Sequence, residues 1–440
     1  MTQQNNDKLK RDASGGNGVD VHKNKKHRSK MKPTENAAPK QGEAKATDTA
    51  SGISKESQQK QRNRILTVTS DIQAIPQRTI HNMQAVAANH SSCNLQQASD
   101  TPTTTLVIQT SLNRLWILKE TCRRWNNPIT AVVFIPRNSK ASLDTLQDVS
   151  DDPNCSRLEI IKYMASEKES ISGNYPVNRL RNIGLDHVTT SHILVMDVDF
   201  VPSKSLDRLV GDALMLEQTK HSKDNERRER LALIVPAFER QPPEDCETEA
   251  DCAKYLQQNS SFLPQHFDEL RACYRSEDCI VFQSDVNVEG HSTTRSHEWI
   301  QKKWYDQGKA FRSVPCFHTA RYEPYVVLEW CPARSSTYSR DTTDLLPTAP
   351  YYDERFHGYG KNKIELISHL RKSGYRFRVL PEGFIIHNPH PESSVKETWN
   401  DRDGSDLHRS MDTLYSKFLK ELDLMYADVH NTTIKLCSRS

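Results

Sequence analysis

An α/β protein with a mainly parallel sheet is the fold class this sequence predicts, on three observations. Strand-like and helix-like segments alternate along most of the chain. The strand-like runs are short, apolar and rich in β-branched residues. The material for a core is also concentrated behind a polar leader. Residues 1–64 hold 15 Lys/Arg against 7 Asp/Glu and almost no large apolar side chains. They read as a disordered basic tail, 65–98 as a poorly patterned linker, and 99–440 as the folded domain.

The elements follow in order. Thr103–Ile108 is a β-branched run fit for a buried strand, and Ser111 and Asn113 offer caps for the helix after it. In that helix Leu115, Leu118, Cys122 and Trp125 share one face, and Asn126-Asn127-Pro128 stops it. Ile129–Ile135 is a second strand, Leu158–Ile161 a third, and Val177–Leu185 a helix. His192–Met196 is a strand that ends in Asp197-Val198-Asp199, and Leu231–Val235 is another. Residues 240–290 are polar and cysteine-bearing, and read as an insertion or lid. Lys363–Lys372 is a helix closed by Gly374, Tyr375, Phe377 and Val379 alternate as a strand, and Phe384–Ile386 is a strand running into His387. From Met411 to Tyr426 an apolar stripe at helical spacing reads as core packing.

Several functions drop out. No run approaches ~18 apolar residues, and the N-terminal stretch lacks the apolar centre of a signal peptide. GxxxxGK[ST], HExxH, GxSxG and CxxC are all missing, which removes P-loop enzymes, zincin proteases, elbow-type serine hydrolases and thioredoxin-like redox proteins. The net charge of +3 comes from the tail, and Lys23–Lys32 lacks interleaved aromatics, so no specific nucleic-acid partner is expected. Ten cysteines admit disulfides, free thiols or a zinc site. The even count favours disulfides, and sequons at Asn89, Asn259 and Asn431 push toward the secretory pathway.

The residues with chemistry in them begin at ILVMDVDFVPS, 193–203. A bare D-x-D is more often a turn with an aspartate cap, and Pro202-Ser203 follows here. At the end of a buried strand the balance reverses, because alternation puts Asp197 and Asp199 on one side of the sheet's carboxyl edge, where such folds bind ligands. Like charges this close repel unless a cation lies between them, and oxygen ligands suit Mn²⁺ or Mg²⁺. His387 also follows a hydrophobic strand and would complete a carboxylate–imidazole site. His390 competes with it.

The blocks TTTLVIQTSLNRLWILKETCRRWNNPITAVVFIP, YPVNRLRNIGLDHV, DVDFVPS, LIVPAFE, HSTTRSHEW, RYEPYVV, YYDERFHGYGKNK and GYRFRVLPEGFIIHNPH stand in this order across about 330 residues. Together they resemble glycosyltransferase family 49, the LARGE-type and β-1,4-glucuronyltransferase-type enzymes. The resemblance implies a GT-A fold, a UDP-sugar donor, a glycan or glycoprotein acceptor, and Mn²⁺ or another divalent cation held by Asp197, Asp199 and His387. It implies that Gln109, Thr110 and Arg114, with Val198, Asn178, Arg181 and Asn182, face the nucleotide and donor sugar. The block from Tyr351 to Lys363 is then the wall for sugar and acceptor.

An inverting transfer needs one base. Inverting GT-A enzymes often carry it after a glycine-rich turn, where this chain has Asn362 and Lys363. Asp353 and Glu354 are the nearest carboxylates and are taken as candidates, with an ion pair to Arg355 as the structural alternative. Arg355 or Lys363 would grip the carboxylate of a glucuronate donor. The resemblance implies a Golgi or secretory lumen address, although the cytoplasmic tail and Golgi anchor with which the family usually opens are not visible, so a cytosolic one is left open. A single transferase domain implies one transfer, and a homodimer is compatible. The rival reading is an inactive scaffold in a glycosylation complex, against which both aspartates and His387 argue.

Overall fold

The computed structural model describes residues 65–69, 76–83, 85–86, 92–93, 101–137, 139, 143–172, 175–224, 230–259, 261–301, 312–331, 348–391, 405–429 and 433–438. The tail expected over 1–64, and the sequons at Asn89 and Asn431, lie outside them.

Nine strands form the large sheet: β1 (Ile65–Thr69), β2 (Thr104–Ser111), β3 (Ile129–Ile135), β4 (Leu158–Met164), β5 (His192–Asp197), β7 (Leu231–Val235), β10 (Arg312–Ser313), β12 (Tyr325–Glu329) and β13 (Arg376–Val379). Their order is β1-β4-β3-β2-β5-β12-β7-β13-β10. Strands β1 to β5 pair in parallel, as do β7 and β13, while β12 runs antiparallel between β5 and β7. All seven residues of β3 are buried, as expected where helices cover both faces. Helix α1 (Leu115–Arg124) turns Leu115, Leu118 and Cys122 into the core. Helix α2 (Val177–Asp186) packs so closely on β2 that a Cβ at Gly184 would come within 2.7 Å of Val107, so only glycine fits there.

A second, four-stranded sheet lies at the carboxyl edge of the first, in the order β6-β14-β8-β9. Its members are β6 (Phe200–Pro202), β8 (Ala237–Arg240), β9 (Cys279–Val281) and β14 (Ile385–His387). The chain passes from β5 to β6 through Val198-Asp199, and from β7 to β8 through Pro236, which has no N–H to offer a ladder. Both crossings put side chains into the seam between the sheets, and His387 reaches it from β14. Two more strands, β11 (Cys316–Phe317) and β15 (Lys435–Leu436), pair with each other.

Two segments differ from expectation. In the stretch read as a linker, β1 extends the large sheet on β4, and Arg78 is 1% exposed. In the stretch read as an insertion, helices α3 (Glu249–Gln258) and α4 (Phe267–Arg275) precede β9, which pairs with β8 and completes the small sheet. Phe262, Leu263, Leu270 and Phe282 from this stretch join the core. Its polar average hid a thin apolar face. Further on come the one-turn α5 (Val288–His291), α6 (Ile364–Lys372) and α7 (Ser405–Met425). From α7, Met411, Phe418 and Leu422 pack with Phe356 and Ile80.

All ten cysteines are paired: Cys93–Cys331, Cys122–Cys155, Cys246–Cys252, Cys273–Cys279 and Cys316–Cys437. Cys93–Cys331 closes a separation of 238 residues, so it removes the most unfolded-chain entropy. Replacing both with serine is expected to lower unfolding free energy by roughly 2–5 kcal/mol in urea titration. The same pair of substitutions at Cys246 and Cys252, six residues apart, should cost less. Equal losses would refute the loop-length account.

Candidate active site

Strand β5 delivers Asp197 to the edge of the large sheet beside Gln109 of β2, its register partner. Four donors close around its carboxylate. Arg181 Nη2 (2.9 Å) and Gln109 Nε2 (3.3 Å) reach Oδ1, while the Tyr325 hydroxyl (2.7 Å) and Lys363 Nζ (3.0 Å) reach Oδ2. Burial opposes ionisation, but Lys363 and Arg181 outweigh it and hold the carboxyl well below the usual range. Burial likewise opposes the charge on Lys363, and Asp197 and Glu323 restore it. Tyr175 donates its hydroxyl to Gln109 Oε1 and so orients the amide toward Asp197.

The strand stops at Asp197, and Val198-Asp199 is a turn. The period of two therefore ends before Asp199, and the two aspartates enter different sets of contacts. Val198 is buried. Asp199 accepts from Arg114 Nη1 at 2.6 Å and pairs with His390 Nε2 at 3.3 Å. Its carbonyl accepts from Asn388 N at 2.7 Å, which ties the turn to the segment after β14. Donor atoms of Asp199, His387 and His390 all lie within 4.8 Å of one another. Against its burial, His390, Arg114 and His387 pull the Asp199 carboxyl down to about 2. Burial pushes His387 down to about 3, so its imidazole is neutral at pH 7 and keeps a free lone pair. One carboxylate oxygen and two imidazole nitrogens form a mixed donor set for a first-row divalent cation, the carboxylate suiting Mn²⁺ and the imidazoles the later metals. Asp197, expected as a ligand, stands outside that cluster, and His390 stands inside it.

Arg114 links the cluster to the Cys-bearing stretch: its Nε donates to Glu249 of α3 at 3.2 Å, and Trp116 donates to the same carboxylate at 3.3 Å. The other expected nucleotide contacts turn inward. Thr110 is 1% exposed and donates to the Ser111 carbonyl. Asn178 donates to the Asp353 carbonyl, and Asn182 bonds both Glu354 Oε1 and the Tyr352 backbone. Arg181 adds Asn178 and Asn362 to its bond with Asp197 and lies over the Tyr352 ring. These α2 residues fasten the 351–365 block to the sheet, and Arg181 alone of them reaches the seam.

Asp353 and Glu354, the expected candidates for the base, lie beneath the surface. Asp353 is 0% exposed, with its oxygens taken by Arg355 (2.7 Å) and by the backbone N–H groups of Ile80 and Arg355. Glu354 receives Asn182 Nδ2 and Arg78 N. A base must meet a hydroxyl arriving from solvent, and these oxygens are already hydrogen-bonded inside the fold. Arg355 is shared between Asp353 and Glu421, both at 2.7 Å, which is the structural ion pair rather than a grip for a donor. Lys363 does face the seam. Residues that the sequence reading missed are Tyr325, Tyr175, Glu249 and Glu323. Tyr325 and Glu323 lie inside the RYEPYVV block, so a signal existed for them.

A mainly parallel sheet with β12 antiparallel between β5 and β7 and β10 antiparallel at its edge, and a small second sheet that begins just after the D-x-D, define a GT-A type glycosyltransferase fold. A family profile described as "Glycosyl-transferase for dystroglycan" matches residues 139–427, and the chain belongs to that family, glycosyltransferase family 49. The chain is 31% identical over 290 residues to the mouse "Xylosyl- and glucuronyltransferase LARGE2", covering 66% of this chain and 34% of that protein. To the human "Xylosyl- and glucuronyltransferase LARGE1" it is 28% identical over 298 residues, covering 68% of this chain and 32% of the other. It thus spans about a third of the length of these relatives. Among solved structures, GalNAc-T7 with UDP, GalNAc and Mn²⁺ aligns over 84% of this chain and 64% of its own at 13% identity and a TM-score of 0.35, too low to add to the argument.

Proposed function

We propose that the chain is a metal-dependent, inverting glycosyltransferase that moves one sugar, glucuronate or xylose, from a UDP donor to a glycan hydroxyl. The observation that carries this reading is the Asp199–His387–His390 cluster, set beside three cations at the seam of a family 49 fold. Asp199, His387 and His390 are the residues that would hold Mn²⁺ or another divalent cation, and their donor set fits one. When bound, such an ion neutralises charge on the departing diphosphate.

The chain's own residues do the rest. Arg114 and Lys363 bring fixed positive charge to the diphosphate side, and Arg181 keeps Asp197 ionised so that Lys363 stays ordered. Lys363 also offers a cation for the carboxylate of a glucuronate donor, whereas Arg355 is engaged elsewhere. An inactive scaffold would have no use for a carboxylate–imidazole cluster of this kind. Five disulfides favour an oxidising compartment, in keeping with action in the Golgi lumen on glycoproteins. Among the described residues no helix is long and apolar enough to cross a membrane.

The test is a donor screen with UDP-glucuronate, UDP-xylose, UDP-galactose and UDP-N-acetylglucosamine, with Mn²⁺ and with EDTA. Turnover of a single donor that is lost in EDTA is expected, with a product of inverted anomeric configuration by NMR. A retained configuration would refute the displacement mechanism, and no turnover of any donor would favour the scaffold.

A further inference from the structure

With Asp353 and Glu354 sealed inside the fold, Glu323 is a carboxylate near the seam that the metal cluster does not use, and unlike Asp197 it is not enclosed by four donors. Glu323 lies two residues before Tyr325, whose hydroxyl touches Asp197, and it is half-buried. Its backbone N–H donates to the Gly290 carbonyl at 2.9 Å, and Asn287 Nδ2 donates to Oε1 at 2.9 Å. A Cβ at Gly290 would stand 2.6 Å from Asn287 Nδ2 and 3.1 Å from Glu323 Oε1, so α5 leaves room for this contact only with glycine there. Oε2 has no hydrogen-bond partner among the described residues. The Glu323 carboxylate also acts on Lys363, the cation bonded to Asp197.

A second observation at the same place points to a ligand. His291, from the same short turn, is 6% exposed, and its Nε2 has no hydrogen-bond partner among the described residues. An orphaned imidazole nitrogen in a buried site is costly unless something else fills it. Burial and the charge of Lys363 keep the ring neutral, so it serves as a hydrogen-bonding group and not as a cation. Phe282 packs against both His291, at 5.1 Å, and His387, at 5.2 Å. One phenyl ring therefore touches both His387 of the metal cluster and His291, the neighbour of Gly290, whose carbonyl accepts from Glu323 N.

We infer that Glu323 is the base that takes the proton from the acceptor hydroxyl, with Asn287 fixing its carboxylate and His291 Nε2 meeting a sugar or acceptor hydroxyl. This rests on the transferase reading above. In the step, the acceptor oxygen forms a bond to the anomeric carbon as its proton passes to Glu323 Oε2. The bond from that carbon to the β-phosphate oxygen breaks, and its electron pair leaves with UDP. The proton on Glu323 then returns to solvent, and nothing is oxidised or reduced. Burial pushes the Glu323 carboxyl up, which suits a proton acceptor near neutrality.

The test compares wild type with Glu323→Gln and Glu323→Asp, using UDP-glucuronate and UDP-xylose as donors and aryl β-xyloside and β-glucuronide as acceptors. Glu323→Gln keeps the shape and can still accept from Asn287. It should lower kcat by ~10²-fold or more while the KM for donor, the Kd for UDP with Mn²⁺ and the melting temperature hold. Glu323→Asp should recover part of kcat. A Glu323→Gln enzyme with kcat within threefold of wild type overturns the assignment while the transferase reading stands. Loss of UDP binding or of the melting transition in Glu323→Gln, with no recovery in Glu323→Asp, also overturns it and makes the residue structural. A folded wild type that binds no UDP and transfers no sugar defeats the transferase reading itself.

Discussion

Arg78→Ala is expected to cost about 3–5 kcal/mol of folding free energy, more than any single substitution at the surface of this chain. Arg78 is 1% exposed and spans both oxygens of Asp186 at 2.8 and 2.7 Å. Its Nη1 lies 3.5 Å from Glu354 Oε1, and its guanidinium stacks 4.5 Å over the Tyr351 ring. Truncation leaves two carboxylates buried without their cation, and that desolvation sets the size of the effect. The damage reaches the site as well, because Glu354 holds Asn182 and hence the α2 face that carries Arg181. Urea unfolding followed by circular dichroism measures it. A loss under about 1 kcal/mol would show that the ion pair is dispensable. Replacing Arg78 and Asp186 together by Met and Leu should recover part of the loss, since the charge and its partner leave together. For the same reason, a chain cut at residue 99 should fail to fold stably.

What could be read from the sequence follows from what is local. Ile129–Ile135 is apolar at every position and is buried at every position, so composition alone placed the strand. Val177–Asp186 and Ile364–Lys372 carry helical periodicity and proved helical within a residue or two of the expected ends. Asp199 and His387 could be picked out because a charged or polar group at the abrupt end of an apolar strand has few structural uses. Three things could not be read. Alternation would put Asp197 and Asp199 on one side of the sheet, but the strand ends between them, which depends on where β6 joins the second sheet. Asp353 is a candidate base by its place in the chain, with an ion pair to Arg355 as the alternative; the ion pair is what forms, and the Ile80 N–H that closes over it comes from 273 residues away. Arg78 sits in a segment with no periodicity, and what fixes it is an ion pair 108 residues distant. Such non-local closures leave no period in the chain.

The difference between the two aspartates yields the other large effect. Asp199→Asn should weaken UDP binding in Mn²⁺ by more than ~10²-fold and turnover by more still, because it removes the single carboxylate from the candidate ligand set. Its side chain is 19% exposed, and its partner Arg114 keeps a second carboxylate in Glu249, so the melting temperature should hardly move. Asp197→Asn should behave the other way round. Its loss leaves Lys363 and Arg181 in the seam with their countercharge gone, which lowers stability before it touches metal binding. Calorimetry of UDP with Mn²⁺ and with EDTA, run beside thermal melts of both variants, separates the two roles. If the variants lose metal-dependent binding equally with unchanged melting, both carboxylates hold the cation and the asymmetry is wrong. Equal UDP affinity in Mn²⁺ and EDTA for wild type would remove the metal from the reaction, leaving Arg114 and Lys363 to carry the diphosphate charge alone.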